Sequence, residues 1–406
     1  MSALEKFLKY VKIDTQSDPY SIYSPTTKKQ FDLANVLVED LREVGLQPIL
    51  SKECYVYARV LSNSKKEVEP FGLCAHMDVS PDAPSKNIIP HIIKNYQVED
   101  IVLTNGDIIS KDEYSFLQNL KSHDLVVTSG DTLLGGDDKA GIAQIMGLLE
   151  YINEHKDFEH GDIFICFTPD EEVGKGVDNI DYSIFNVKKA YTIDGGAVGD
   201  IEYENFNAAS AKVLIKGIGI HPGSAKNKMV NASLLAYEFN SMLPVNEIPR
   251  YTSGYEGFYH LSRIEGSVEE AKIEYIVRNH SKELFNKQKE YLQSVAKYIN
   301  SKYGYKAITL KIKDSYYNMY DIISKDLDVV EYAIEAIKKV GLTPKIEPIR
   351  GGTDGARLTY AGVLTPNLGT GAYNFHSRKE LLSINELYLG IDILKEIVSK
   401  YVSNSK

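Results

Sequence analysis

Two adjacent glutamates, Glu171 and Glu172, are well placed in this sequence to do chemistry. They directly follow the apolar run 163–167, within the segment 168–174. Two carboxylates at the end of a buried strand repel each other and are costly to desolvate, so a positive group is expected to offset that cost. A metal ion would do so, and it would let one glutamate bind the ion while the other moves a proton. The alternative is an acidic turn in solvent, because most charged clusters are exposed.

Other acids and histidines stand in similar places, at the end of a predicted strand or the start of a predicted helix. They are His76 and Asp78 after the run 71–75, Asp137 before the helical segment 140–152, Asp194 after 190–193, and His376 after 363–368. Each motif alone is weak, but the ordered set is informative. Open α/β sheets bind ligands outside the carboxyl ends of their strands, so we expect these side chains to converge.

The residue types in this set favour a pair of metal ions. Two histidines and several carboxylates without cysteine suit zinc or a similar divalent ion. Five ligands are too many for one catalytic zinc that keeps an open position. They suit two ions bridged by one carboxylate, with a water between them.

The elements that must position these residues alternate between strands and helices. Apolar runs at 55–61, 71–75, 163–167 and 190–193 predict strands. Helical spacing predicts helices, among them 140–152 and 384–402. This alternation predicts an α/β fold with a mixed, mainly parallel sheet flanked by helices. The segment 86–114 is expected to be rich in loops.

The pattern changes after about residue 207. Strand and helix signals follow in the order β-α-β-β-α-β, which predicts an inserted ferredoxin-like α+β domain. We therefore predict a catalytic domain formed by 1–207 plus 315–406, with 208–314 inserted as a lid domain.

Composition narrows the function classes. The 406 residues carry 46 Lys and Arg against 56 Asp and Glu, a net charge of −10, and no long basic run occurs, so nucleic-acid binding is not expected. No stretch approaches the roughly 20 apolar residues that cross a membrane, so no membrane association is expected. The odd number of three cysteines, with Cys74 and Cys166 in apolar strand-like runs, and the lack of a signal-peptide pattern predict a cytoplasmic protein.

The motifs around these residues resemble the peptidase T group, tripeptide aminopeptidases of the dizinc exopeptidase family that also includes peptidase V and carboxypeptidase G. The resemblance runs nearly end to end. Its motifs are 76–82 (HMDVSPD), 134–141 (LGGDDKAG), 167–176 (FTPDEEVGKG), 204–210 (ENFNAAS), 254–260 (GYEGFYH), 314–319 (DSYYNM) and 348–356 (PIRGGTDGA).

The resemblance implies roles for individual residues. His76, Asp137 and Asp194 would hold one zinc ion, and Asp137, Glu172 and His376 the other, with Asp137 bridging; Glu171 would be the general base and acid, Asp78 would orient His76, and His221 would stabilise the oxyanion. The family also implies a cis peptide bond after Asp137. Two arginines, Arg278 and Arg350, are candidates to bind the carboxylate of a tripeptide, because a guanidinium can bind it bidentately.

The expected function is therefore hydrolysis, by metal-activated water, of the N-terminal residue from tripeptides with a free amino terminus. An N-acyl amino acid or peptide deacylase of the same superfamily would use the same ions. A non-catalytic metal-binding protein is the alternative from another class. The sequence leaves open whether the protein is a monomer or a homodimer.

Overall fold

The structure is a computed structural model, and it describes residues 1–405. Those residues form eighteen strands and nine α-helices. The strands are β1 (Ile49–Leu50), β2 (Val56–Val60), β3 (Phe71–His76), β4 (His91–Ile93), β5 (Ile101–Val102), β6 (Ile108–Ile109), β7 (Leu125–Val127), β8 (Ile163–Thr168), β9 (Ala190–Gly195), β10 (Asp200–Glu202), β11 (Asn207–Lys216), β12 (Phe258–Gly266), β13 (Glu270–Asn279), β14 (Ile308–Tyr316), β15 (Lys345–Ile346), β16 (Asn367–Gly369), β17 (Ala372–Tyr373) and β18 (Leu381–Ser383). The helices are α1 (Ala3–Tyr10), α2 (Gln30–Glu43), α3 (Gly136–Glu154), α4 (Ala232–Ser241), α5 (Lys282–Tyr303), α6 (Tyr320–Ile323), α7 (Asp328–Lys339), α8 (Asp354–Tyr360) and α9 (Ile384–Ser403).

The chain divides into two compact units. The first consists of Met1–Tyr203, Asp321–Glu347 and the chain from Thr353 onward. The second consists of Glu204–Tyr320 and Pro348–Gly352.

The first unit is built on an eight-stranded sheet with the order β1-β2-β8-β3-β9-β16-β10-β15. Its centre, β8-β3-β9-β16, is parallel, and antiparallel pairs join β1 to β2, β2 to β8 and β16 to β10. Every residue of β3 and β8 is buried, as the continuous apolar runs require for strands in the middle of such a sheet. Helix α3 packs against β3 and β9. The predicted α/β fold with a mixed, mainly parallel sheet is confirmed.

A smaller sheet, β17-β18-β7-β4, also belongs to the first unit. Its strands have two or three residues each, too few to show an alternating pattern, and the sequence does not predict this sheet. In the loop-rich segment 86–114, β5 and β6 pair only with each other.

The second unit has the predicted β-α-β-β-α-β order. Strands β12-β13-β11-β14 form one antiparallel sheet, and α4 and α5 pack on it. Ser281 caps the start of α5 by accepting from the Leu284 N–H, and Gly304, with a φ of +72°, ends that helix. The core between sheet and helices includes Phe239 and Phe285, both fully buried. Across residues 1–405, none of the helices combines the length and apolar character that crossing a membrane requires.

Candidate metal centre and active site

Three of the predicted groups lie at the carboxyl ends of neighbouring central strands. His76 is the last residue of β3, and Asp194 is the penultimate residue of β9. Glu171 and Glu172 follow β8 in a short 3-10 helix. Because β8, β3 and β9 are adjacent and parallel, these side chains share one edge of the sheet.

Asp137 is the second residue of α3, at a point where its φ of −85° and ψ of +103° are not helical. The peptide bond between Asp137 and Asp138 is cis, as the family resemblance implies. The carboxylate of Glu380, which is buried, accepts hydrogen bonds from the backbone N–H groups of Leu134 (2.7 Å), Gly135 (2.8 Å) and Asp137 (3.0 Å). Glu380 therefore fixes the turn that presents Asp137.

The segment that carries the two glutamates is held from two sides. Asp170, directly before it, has a φ of +58°, and its carboxylate accepts a hydrogen bond from Gln30 Nε2 at 2.7 Å. On the other side, Asp78 Oδ1 accepts from the Glu171 N–H at 3.0 Å and Oδ2 accepts from the Glu172 N–H at 3.2 Å. The buried Asp78 therefore fixes the backbone of both glutamates.

His376 is not carried directly by the strand that the run 363–368 predicts. That run leads into β16, and the chain then forms β17 before His376, which lies in the turn between β17 and β18 with a φ of +60°. The predicted context of His376 is therefore wrong, because the intervening strand is too short to recognise. The structure nevertheless brings the His376 side chain to the cluster.

The structure joins the five predicted ligands into two donor groups that share Asp137. His76, Asp137 and Asp194 form one, and Asp137, Glu172 and His376 form the other; the donor atoms of each lie within 4.8 Å of one another. His76 Nε2 lies 2.8 Å from Asp137 Oδ1 and 3.3 Å from Asp194 Oδ1. His376 Nε2 lies 2.8 Å from Glu172 Oε2 and 3.3 Å from Asp137 Oδ2. Each oxygen of Asp137 therefore faces a different histidine.

Each histidine has its other ring nitrogen next to an aspartate. His76 Nδ1 lies 3.0 Å from the backbone carbonyl oxygen of Asp78 and 3.4 Å from its Oδ1. His376 Nδ1 lies 3.1 Å from Asp82 Oδ2. Such contacts fix the ring and its tautomer, and they leave Nε2 of each imidazole to bind an ion.

The carboxylates of the two donor groups are buried, and this burial favours binding of a cation beside them. Burial raises the pKa of Glu172 to about 8 and that of Asp194 to about 6. A nearby divalent ion reverses this effect, since it stabilises the ionised carboxylates. In addition, Glu172 Oε1 is buried and has no hydrogen-bond partner within residues 1–405. The donor set and this orphaned oxygen fit a pair of divalent cations.

Glu171 belongs to neither donor group. Burial raises the pKa of its carboxyl well above the usual value. Among the described residues, nothing forms a hydrogen bond or ion pair with this carboxylate. A carboxyl with a raised pKa beside an ion-binding cluster is suited to accept a proton and return it.

The three remaining predicted residues lie in the second unit. His221 is exposed, and its Nδ1 accepts a hydrogen bond from the Gly223 N–H at 3.1 Å. Arg278 is half-buried, lies over the ring of Tyr316 at 5.2 Å from the centroid, and donates to the Val277 carbonyl at 3.1 Å. The roles predicted for His221 and Arg278 stay predictions.

Arg350 makes contacts that the sequence does not predict. Its Nη1 donates to the carbonyls of Gly254 at 2.5 Å and Glu256 at 3.1 Å, and its Nη2 donates to Thr252 Oγ1 at 3.1 Å. The guanidinium also lies over the ring of Phe206, 5.0 Å from the centroid. These contacts hold the segment 252–256, and binding of a peptide carboxylate by Arg350 stays a prediction.

Two residues of the site escape the sequence reasoning. Asp82 lies in the quoted motif 76–82, and its spacing gives no sign that it reaches His376. Glu380 lies four residues after His376, which offers a weak signal of a shared turn. Neither contact can be deduced without the positions of the short strands β17 and β18.

Comparisons with known proteins agree with this geometry. The model of Peptidase family M20/M25/M40 matches residues 134–400. The chain is 48% identical over 398 residues to a Peptidase T of Clostridium perfringens, with 98% of each chain covered. A crystal structure of the aminopeptidase PepT from Bacillus cereus superposes with a TM-score of 0.77 at 21% identity, covering 98% of both chains. A dinuclear metal-binding peptidase from Bacillus subtilis gives a TM-score of 0.67 at 14% identity, covering 99% of this chain and 98% of that one.

The family model matches about two thirds of the chain, and the curated relative aligns with nearly all of it. The chain therefore belongs to the M20/M25/M40 family of peptidases.

Proposed function

We propose that this protein is a zinc-dependent aminopeptidase that removes the N-terminal residue from tripeptides. Membership of the family makes it a metal-dependent exopeptidase acting on peptides. The observation that carries the proposal is the arrangement of Asp137, which offers one carboxylate oxygen to each of two histidine-carboxylate pairs. The curated relatives are named Peptidase T, and the choice of tripeptides as substrates rests on the resemblance to the tripeptide aminopeptidases.

In this proposal, His76, Asp137 and Asp194 hold one zinc ion, and Asp137, Glu172 and His376 hold the other. The choice of zinc rests on the ligand types, two imidazoles and three carboxylates, which suit this ion. Asp78 and Asp82 keep the two imidazole rings in the orientation that directs Nε2 to the ions.

The chain's own residues then perform the proton transfers. When bound, the two ions supply Lewis acidity and lower the pKa of water towards neutrality. Glu171 accepts a proton from the attacking water and returns it to the nitrogen of the leaving amine. Its freedom from other partners supports this role, because a carboxylate tied into an ion pair could not exchange protons as readily.

We further propose that residues 208–314 act as a lid domain of the catalytic domain 1–207 plus 315–406. His221 would donate to the developing oxyanion, and Arg278 and Arg350 would read the carboxylate of the tripeptide. Asp194 would also help to hold the ammonium of the substrate.

We also propose a cytoplasmic location, which is supported by three buried free cysteines, Cys54, Cys74 and Cys166.

The base assignment is tested by Glu171→Gln, with Glu172→Gln as its matched neighbour. Glu171→Gln should lower kcat by about 10²–10⁴-fold, the range of general acid–base catalysis, and should retain two zinc ions per chain. Glu172→Gln should lose metal. Metal content and tripeptide hydrolysis are measured on the same preparations, and near-normal turnover by Glu171→Gln would reject the assignment.

The substrate class is tested with a tripeptide and its N-acetylated form. An aminopeptidase hydrolyses only the tripeptide that has a free amino group, whereas a deacylase prefers the N-acetylated compound.

The role of Arg278 is tested by substitution. Arg278→Ala should slow tripeptide hydrolysis more than tetrapeptide hydrolysis. The control is Arg263→Ala, which removes an exposed arginine of β12 paired with Glu265. Equal effects of the two substitutions on both substrates would remove Arg278 from the site.

A further inference from the structure

Helix α8 contacts the segment that carries the two adjacent glutamates, although it contributes no metal ligand. Its first residue, Asp354, is 4% exposed, and Asp354 Oδ2 accepts a hydrogen bond from Thr168 Oγ1 at 2.9 Å. Arg357, one turn further along α8, donates from Nη1 to the Gly174 carbonyl at 2.5 Å. Thr168 precedes and Gly174 ends the glutamate turn, which is residues 171–174. The helix therefore holds the chain on both sides of the glutamates.

Two further contacts join α8 to the chain that follows this turn. Arg357 Nη2 donates to the carboxylate of Asp178. The backbone of Gly176 packs directly on the Asp354 carboxylate, because a Cβ at Gly176 would clash with both of its oxygens. Such a close approach requires glycine, so the residue at position 176 is matched to α8.

Helix α8 is itself fixed to the core of the first unit. Leu358 is fully buried and belongs to the same apolar cluster as Val177. The hydroxyl of Thr353 caps the helix by accepting from the Gly355 N–H at 3.2 Å. A side chain at Gly355 would clash with the carbonyl oxygen of Thr365, which shows how closely α8 approaches the chain before β16. The helix can therefore act as a rigid support for the glutamate turn.

The place of the Glu171 carboxylate depends on this support. Within the described residues no side chain or backbone group holds that carboxylate, so the backbone of the glutamate turn sets its position. Asp78 fixes the start of the turn through two N–H groups. At its end, the Gly174 N–H donates to the Glu171 carbonyl at 2.7 Å, and Arg357 holds the Gly174 carbonyl. A general base must lie within hydrogen-bond reach of its proton, and a small displacement lowers the rate.

We propose that Arg357 is a positioning residue for the general base, and that it acts by holding the Gly174 carbonyl and thereby the glutamate turn. The inference rests on the proposed function of Glu171. Arginine suits this role because its forked guanidinium reaches a carbonyl and a carboxylate at the same time. The alternative is a plain ion pair with Asp178, whose side chain is 43% exposed and which would contribute little.

The test compares substitutions at both ends of this contact in the metal-loaded protein, with a tripeptide as substrate. Arg357→Ala should lower kcat by about ten- to a hundredfold, change KM by less than about twofold, and retain two metal ions per chain. Arg357→Lys can still donate to the Gly174 carbonyl and should restore most of the lost kcat. Asp178→Asn leaves the contact between Arg357 and Gly174 in place, so kcat should change by less than about twofold.

Two results of this comparison would overturn the proposal. One is an unchanged kcat in Arg357→Ala. The other is an equal loss in Arg357→Ala and Asp178→Asn, because the ion pair rather than the carbonyl contact would then be the cause. If Arg357→Ala does not fold, Arg357→Gln replaces it with the same expectation, because glutamine is too short to reach the Gly174 carbonyl.

A double-mutant cycle separates this proposal from the assignment of the base. In the Glu171→Gln background, Arg357→Ala should lower kcat by less than about twofold, because the group that Arg357 positions is already lost. A fully additive loss would overturn the positioning role and leave the base assignment intact. Near-normal turnover by Glu171→Gln alone would instead reject the base assignment, and the positioning role with it.

Discussion

The two halves of the proposed metal centre each combine one histidine with two carboxylates, but in different surroundings. In the first half, His76 is 2% exposed, belongs to a central strand, and is oriented by Asp78, which is fully buried. In the second half, His376 is 42% exposed, lies in a turn, and is oriented by Asp82, which is 66% exposed. Asp137 is common to both halves.

This difference indicates a division of labour within the centre. In the proposed centre, the buried half takes His76 and Asp194 from adjacent strands and would hold its ion with little freedom to rearrange. An open half leaves room for water and for the substrate, as catalytic sites that keep an exchangeable position require. We therefore expect the ion at His76 to be bound more tightly than the ion at His376, and the following predictions test this ranking.

The largest effect is expected from Asp137→Asn, because this residue serves both halves. Loss of one charge and one ligand oxygen should lower kcat/KM at least about a thousandfold, equivalent to ~4 kcal/mol of transition-state stabilisation. Both ions should bind more weakly, which metal analysis after dialysis would reveal. A variant that retains two ions per chain would show that Asp137 is not the shared ligand.

Asp78→Asn should give the next largest effect, through the buried half. The aspartate accepts from the Glu171 and Glu172 N–H groups and lies beside His76, and an asparagine would turn an NH₂ towards at least one of these partners. Loss of such an orienting group lowers activity or metal affinity by about 10–100-fold. We expect kcat/KM to fall by about 100-fold, the upper end of this range. Wild-type activity would show that Asp78 does not position His76 and the two glutamates.

The sequence predicts the parts of this centre that depend on local pattern. His76 and the glutamate pair follow continuous apolar runs, which identify β3 and β8 and hence the edge where ligands bind. The contact of Glu380 with the Asp137 N–H, in contrast, joins residues 243 positions apart. It requires the exact place of two strands of two or three residues, and no periodicity encodes them.

Glu380→Gln tests the scaffold that both halves share. Its carboxylate accepts three backbone N–H groups, and glutamine would set an NH₂ group against one of them. An unpaired buried N–H costs about 1–3 kcal/mol, so the free energy of unfolding should fall by that amount and kcat/KM by about tenfold. Urea denaturation of the metal-loaded protein measures the first quantity. Unchanged stability would mean that the turn before α3 is fixed by other contacts.

Asp82→Asn should have the smallest effect, and it separates the two halves most directly. The asparagine oxygen can still accept from His376 Nδ1, and water can replace it at a position that is 66% exposed. We expect kcat/KM to fall less than about tenfold, below the range usual for buried orienting groups. Chelator titration should remove one ion earlier than in the wild type and leave the other unchanged, whereas Asp157→Asn, a distant exposed aspartate, should change neither. If Asp82→Asn instead matched Asp78→Asn in every measurement, burial would not distinguish the halves, and the tighter ion would have to be explained by the ligands alone.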